Sequence, residues 1–427
     1  MAVKKILIIA PHFPPSNLAG VHRSRLFAQH LPEFGWEPII LTVHHQYYEE
    51  QLDWHLAALL PPGLCIERVK ALPVKPIRLV GDIGIRGFLP LLQKTIQLIR
   101  KEHIHFLYIP IPSNYVALIG RIAHEITGIA YGIDYIDPWV YPLPEGKKRL
   151  SKEGLSLLLA RWLEPIAVKK AALITGVAEG YYQGVLMRNP QLHCVTAAMP
   201  YGGEPADHAC LQQMGLQPYL FSKKENKFQL VYAGAMLPKA YAPLKQVFAT
   251  IQSHAELFQD VEFHFIGTGK HPNNREGYNI RPLAEDYGLW EKIVYEYPPR
   301  IPYLDVLVHL QAADGIFILG STEPHYTPSK VYQAILSHKP VLAILHHRST
   351  AVEIIRSSHA GWVLDFDGEG DVQRIGNCFA ACFQEFRKFV QQFRSDLVDF
   401  QIFDAYSARA VTAKLVEAIE QALTQMA

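Results

Sequence analysis

Hydrophobic positions along the first 200 residues gather into short continuous runs: KILIIA, EPIILTV, HFLYIPI, IAYGIDY and AALITGV. Runs of that length, apolar at every position, are the signature of parallel strands buried on both faces. Between them lie stretches with helical spacing, near residues 21–33, 88–101, 114–127, 155–170 and 178–187. The pattern stops over the turn-rich segment around YGGEPADH and FSKKENK. It then resumes with FQLVYAG, VEFHFIG, KIVYEY, GIFILG, PVLAIL and GWVLDF. The intervening helices are predicted near 242–256, 280–288, 302–312, 329–337, 349–357 and 371–396. Strand–helix alternation of this kind builds right-handed βαβ units and doubly wound sheets. The predicted organisation is a first Rossmann-like domain over 1–200, a linker over 201–227 and a second Rossmann-like domain over 228–404. A final amphipathic helix follows over 405–427, with Ala408, Val411, Leu415, Ile419 and Leu423 on one face. The fold class is α/β, two such domains facing across a cleft, with ligands at the carboxyl ends of the strands.

Composition narrows the class. The chain of 427 residues is too long for one ordinary core, and 49% apolar with 19% charged residues describes a globular protein. A formal net charge of +1, with both signs dispersed, lacks the basic stripe that nucleic acid requires. Five scattered cysteines fit a reducing compartment, and Cys378 and Cys382, four apart, have no second pair to complete a metal site. KKILIIAPHF is too short an apolar run for a signal peptide, and no stretch of 18 apolar residues occurs. The expectation is a cytoplasmic protein, with membrane association at most peripheral.

The most informative stretch is DGIFILGSTEPHYTPSKVYQAILSHKPVLAIL, residues 314–345. It reads as strand, polar loop, helix and strand. Thr327 is the predicted N-cap and Pro328 the first helical residue, so the amides of Ser329 and Lys330 face outward at the positive end of the helix. With the Lys330 ammonium beside them, an anion such as a diphosphate is the natural guest. Lys330 and Gln333, three apart, share a helical face. An ordinary capped helix would show the same spacing, so the rest of the chain has to decide.

STEPHYTPSKVYQAILSHKPVLAIL resembles the donor-binding segment of GT-B glycosyltransferases of family 4, with their P-S-K-x-Y-E helix. The family's two glutamates, eight positions apart, fall here on His325 and Gln333. Both are departures, although Gln333 keeps an acceptor for a ribose hydroxyl. The opening PHFPPSNLAGVHRSRLFAQHLPEFGWEPIILT is similar to the family's first loop and helix, which puts Gly20 and Arg23 at positions facing the donor. YGIDYIDPWVYP resembles its D-x-R-D-P-W segment, with Ile136 where arginine is usual. Of Asp134 and Asp137, Asp137 is the candidate to orient the acceptor or take its proton. In the second half, VYAGAMLPKAYAPLKQVF resembles the strand and loop that supply cations to the diphosphate. Gly234 matches there, but Ala235 and Ala240 stand where arginine and lysine are usual, and Lys239 is the nearest substitute. FHFIGTGK brings Gly267 and Gly269 close to a nucleotide, and Arg300 to Pro302, through Ile301, match the segment wrapping the base.

What the resemblance implies is a glycosyltransferase that moves a sugar from a nucleotide-diphosphate donor to a glycan, lipid-linked or small-molecule acceptor. Retention and metal independence are part of that implication. The expected donor set is Gly20, Arg23, Gly234, Lys239, Gly267, Arg300, Ile301, His325, Tyr326, Thr327, Ser329, Lys330 and Gln333, with Asp137 and Lys330 catalytic. Two other readings share the fold: a sugar-nucleotide epimerase, and a non-catalytic binding or assembly subunit of a polysaccharide pathway. No cofactor and no metal are expected; Asp365-Phe366-Asp367 and the pairs His44-His45 and His346-His347 lack further ligands at suggestive spacing. Residues 78–101 combine Phe88, Leu92, Ile96 and Ile99 with Arg78, Arg86, Lys94, Arg100 and Lys101. That combination suits a sheet-covering helix or a peripheral membrane contact.

Overall fold

The continuous apolar runs become the central strands of two parallel sheets. The computed structural model describes residues 3–74, 81–143, 151–269, 276–324, 326 and 328–426. In the first sheet β1 (Lys4–Ile9), β2 (Trp36–Val43), β3 (Cys65–Val69), β4 (Phe106–Ile111), β5 (Tyr131–Tyr135), β6 (Leu173–Gly176) and β7 (Val195–Ala198) lie in the order β3-β2-β1-β4-β5-β6-β7. In the second, β8 (Phe228–Ala233), β9 (Val261–Ile266), β10 (Val294–Tyr297), β11 (Gly315–Leu319), β12 (Val341–His346) and β13 (Gly361–Phe366) lie in the order β10-β9-β8-β11-β12-β13. Every residue of β4, β9, β11 and β12 is buried, because helices cover both faces of a parallel sheet.

Two strands had no counterpart in the hydrophobic pattern, β3 and β7. Both are sheet edges, and their alternating exposure dispenses with a continuous apolar run.

The chain forms two compact units. One holds residues 1–201 and 408–427, the other 202–407. The final helix, Ala408–Met426, is part of the first unit. Val411, Leu415, Ile419 and Ala422 share a buried cluster there with Ile6, Ile8 and Trp36. Glu420 at its outer edge takes Lys4 Nζ at 2.6 Å and Trp36 Nε1 at 3.1 Å.

The segment expected as a linker carries structure of its own within the second unit. Pro205–Gln213 is helical, opened by the Glu204 side chain accepting from the Ala206 amide. It lies on the helix Tyr303–Ala312, where Tyr303 Oη donates to Asp207 at 2.8 Å. Its buried positions are Asp207, His208 and Leu211, two of them polar, so no apolar periodicity announces it.

Phe88–Glu102 is a sheet-covering helix. Leu91, Leu98 and Ile99 are in the core, with Phe88 and Leu92 packed against it. Arg86 is buried and donates to the carbonyls of Leu72 (2.9 Å) and Tyr47 (3.0 Å). Of the two readings of this stretch, the sheet-covering helix holds, because its apolar face packs inside the unit. Arg78 lies outside the described residues.

Candidate functional site

In each sheet the strand order reverses once, between β1 and β4 in the first and between β8 and β11 in the second. Helices leave such a point on opposite faces, so the loops part and leave a crevice at the strand ends. The informative residues fall at these two places.

At the second switch point β8 ends in Gly234, whose φ of +115° is open to glycine and strained for other residues. A Cβ there would stand 3.4 Å from Lys330 Nζ. The Lys330 side chain thus lies directly over the end of β8, with Nζ 3.6 Å from the centre of the Tyr232 ring. Tyr232 itself is held by donating to the Ala235 carbonyl at 3.0 Å. The Lys330 stem reaches solvent, but Nζ is buried and has no hydrogen-bond partner among the described residues. Burial without a counter-charge pulls its pKa down to about 7. A ring face compensates an ammonium only partly, so the amine is poised to take an anion.

Gly267, with φ of +72°, turns the chain at the end of β9 beside Gly234 and the Pro299–Arg300 backbone. Gly234, Gly267, Arg300 and Lys330 are thereby brought together, with Ile301 half-buried next in the chain.

The helix start differs from the sequence reading. The helix runs Lys330–Leu336, and Ser329 occupies the N-cap position with helical angles and no side-chain cap bond. Pro328 is buried and its carbonyl accepts from the Val331 amide. Tyr326 is half-buried, and its amide donates to the Glu323 carbonyl. His325 and Thr327 lie outside the described residues.

Three expected donor contacts are otherwise engaged. Gln333 Oε1 is 2.9 Å from His208 Nε2, while Gln311 Nε2 approaches His208 Nδ1 at 3.4 Å. Burial keeps that imidazole neutral, with a pKa near 4 despite the Gln333 hydrogen bond, so Nε2–H donates and occupies the Gln333 acceptor. Lys239 Nζ pairs with Glu369 at 3.1 Å, an exposed and hence weak pair.

Arg23 needs a larger correction. It is 1% exposed and turned inward. Nε and Nη2 grip Asp134 at 2.5 and 2.9 Å, and Nη1 donates to the carbonyls of Met199 and Pro200, both at 2.8 Å. Thr175 Oγ1 donates to the same carboxylate at 2.7 Å. Burial disfavours the guanidinium, but Asp134 reverses that and holds its pKa above the ordinary arginine value. The pair ties the helix Val21–His30 to β5 and to the exit from β7. It offers no face to a ligand.

The first switch point has a small pocket of about 50 Å³ lined by Gly20, Ser24, His12, Ser113 and Ile136, with Pro110 and Pro112. Asp137 follows directly. It keeps solvent contact, yet the protein packed around it strips hydration and pushes its pKa up to about 6. The sequence reading passed over His12, whose Nδ1 is 2.8 Å from Glu50. Burial raises Glu50, but the hydrogen bonds from His12 and Ser16 outweigh it and keep the carboxyl below its ordinary value. No motif marked this pair; its partners are 38 residues apart.

His346, His347 and Asp367 converge at the ends of β12 and β13, with ligand-type atoms within 4.8 Å of one another. The Arg348 amide donates to His346 Nδ1 at 3.1 Å, which places the neutral ring's proton on Nε2, facing Asp367. A proton there opposes a cation. Asp365, the other half of the D-x-D sequence, is bound by Arg356 at 3.2 Å.

Two doubly wound units of this order in one chain define the GT-B fold. No protein-family model matches the chain, nor does any curated protein sequence. Among solved structures it is similar to Anabaena HepE in complex with UDP-glucose, at 15% identity over 98% of this chain and 99% of that one, TM-score 0.63. It is also similar to sucrose-phosphate synthase from Thermosynechococcus elongatus (13% identity, 99% and 100% covered, TM-score 0.66). A third is α,α-trehalose 6-phosphate synthase from Burkholderia multivorans (9%, 99% and 97%, TM-score 0.65). At these identities the likeness is one of fold.

Two outcomes test this geometry. Arg23→Ala leaves the Asp134 carboxylate buried without its partner and lowers stability by about 3–5 kcal/mol; a loss under about 1 kcal/mol in urea unfolding contradicts the assignment. His208, and His264 buried within β9, are both depressed by burial to about 4, from about 6.5 unfolded. The unfolded chain therefore binds more protons between these values. Stability present above pH 6.5 is lost as pH falls towards 4, by up to about 1.4 kcal/mol per pH unit for each histidine. His208→Gln flattens that slope; an unchanged slope in pH-dependent denaturation contradicts it.

Proposed function

We propose that the protein is a GT-B glycosyltransferase, family 4-like, transferring a sugar from a nucleotide diphosphate, with a UDP-sugar the first donor to try. One observation carries this reading: the buried Lys330 amine at the second switch point, without a hydrogen-bond partner among the described residues and beside the glycine turns at Gly234 and Gly267. A diphosphate supplies the missing counter-charge, and its binding favours the protonated amine. The UDP–glucose complex of the structurally similar Anabaena protein supports the choice of donor.

In the proposed reaction the bond between the anomeric carbon and the diphosphate oxygen breaks and its electron pair stays on the leaving phosphate. The Lys330 ammonium meets charge that grows in the transition state. Arg300, whose backbone passes Gly267, is the second cation this reading assigns to the diphosphate. The acceptor hydroxyl forms the new bond and gives up its proton; Asp137, a carboxyl with a pKa raised to about 6, is the base this reading assigns. The resemblance implies retention, with this chain's own cations doing the work a metal does in other enzymes. Gln333, engaged by His208, offers a ribose its amide N–H groups in place of a carboxylate.

The first measurement is calorimetric titration with UDP and UDP-glucose. Binding by the unaltered protein, weakened at least about 100-fold in Lys330→Met, is the expected result. Unchanged affinity in the variant contradicts the assignment. Asp137→Asn is expected to keep donor affinity and lose transfer, and the unaltered enzyme to lose rate below pH about 6. Donor binding with neither transfer nor slow donor hydrolysis would favour the non-catalytic subunit, a reading the occupied Gln333 oxygen keeps in play.

A further inference from the structure

The helix Lys152–Val168 in the first unit is apolar on two opposite faces. Leu157, Ala160, Ala167 and Val168 face inward and are buried. Leu155, Leu158, Leu159, Trp162 and Ile166 are large, apolar and exposed, Leu158 at 63% and Trp162 at 77%. Their spacing confines them to an outward arc about 100° wide along a rod about 25 Å long. A helix that is apolar all round is ordinarily buried all round. A stripe of this size on one element marks a surface that meets something.

Charge says what it meets. Arg161 borders the stripe, and Lys169 and Lys170 stand at its end, all exposed. The helix's two carboxylates are withdrawn: Glu164 is buried and paired with Arg188 at 2.8 Å, and Glu153 is half-buried. Pairing with a second copy about a two-fold axis would set these cations against themselves with no exposed carboxylate on the helix to offset them. An anionic bilayer surface satisfies both features, since it accepts leucine and tryptophan at the acyl boundary and holds phosphates at the level of the cations. No helix among the described residues is long and apolar enough to cross a membrane, so the contact lies along the surface.

We propose that this helix docks the protein on an anionic membrane, with Leu155, Leu158, Leu159, Trp162 and Ile166 inserted at the interface. The helix Phe88–Glu102 offers no comparable face, since its apolar residues pack in the core. Membrane docking does not rest on the donor reading, and either can fail alone.

The test is flotation of the full chain with phosphatidylcholine vesicles, with and without a third of phosphatidylglycerol. Binding to the anionic vesicles, reduced at least about tenfold in Leu158→Glu/Trp162→Glu and also by high salt, is the expected result. Far-UV circular dichroism establishes that the variant is folded. Brominated lipid should quench a fluorescence component that Trp162→Phe lacks. Absence of flotation overturns the proposal, as does flotation indifferent to these substitutions. So does a concentration-dependent dimer dispersed by Leu158→Glu, which would assign the stripe to a second copy.

Discussion

An amine buried without a counter-charge is a costly thing for a protein to keep, and the second unit holds one at its switch point. Lys330 Nζ rests on the Tyr232 ring with no hydrogen-bond partner among the described residues. Desolvation lowers its pKa to about 7, so that near neutral pH about half of it carries the proton. Such a group is stable enough to persist and unsatisfied enough to bind. The glycine turns at Gly234 and Gly267 keep side-chain atoms out of the space around it, and Tyr232 is pinned through its hydroxyl.

The first unit shows the opposite use of a buried charge. Arg23 is as deep as Lys330 Nζ, but its donors are spent on one carboxylate and two carbonyls. Both residues follow a strand at or near a switch point, and their sequence surroundings are similarly suggestive. What separates them is satisfaction: a fully paired ion locks elements together, whereas an unpaired one is available to a ligand.

The fold was largely legible because parallel strands covered on both faces leave continuous apolar runs, and β1, β4, β9, β11 and β12 left unmistakable ones. β3 and β7 were not, since an edge strand needs only half its residues buried. The helix Pro205–Gln213 hid for a related reason: it is anchored by Asp207 and His208, polar residues whose partners lie about a hundred positions away. The site was legible where backbone demands showed through, as at Gly234 and Gly267. It was illegible where tertiary pairing decided, because neither the hold of Asp134 on Arg23 nor that of His208 on Gln333 follows from local spacing. The exposed stripe of Lys152–Val168 was hidden by the same rule, since leucines on a helix read as core until the structure shows which face is covered.

The central claim is that Lys330 carries an unmet charge which a diphosphate completes. Its most direct test is the ionisation of Lys330 Nζ itself, followed by NMR of isotopically labelled lysine over a pH series with and without UDP, the signal assigned by its loss in Lys330→Met. Titration near pH 7 in the free protein and a clear rise on saturation with UDP are the expected result. A midpoint at the ordinary lysine value of about 10.4, unmoved by UDP, would contradict it.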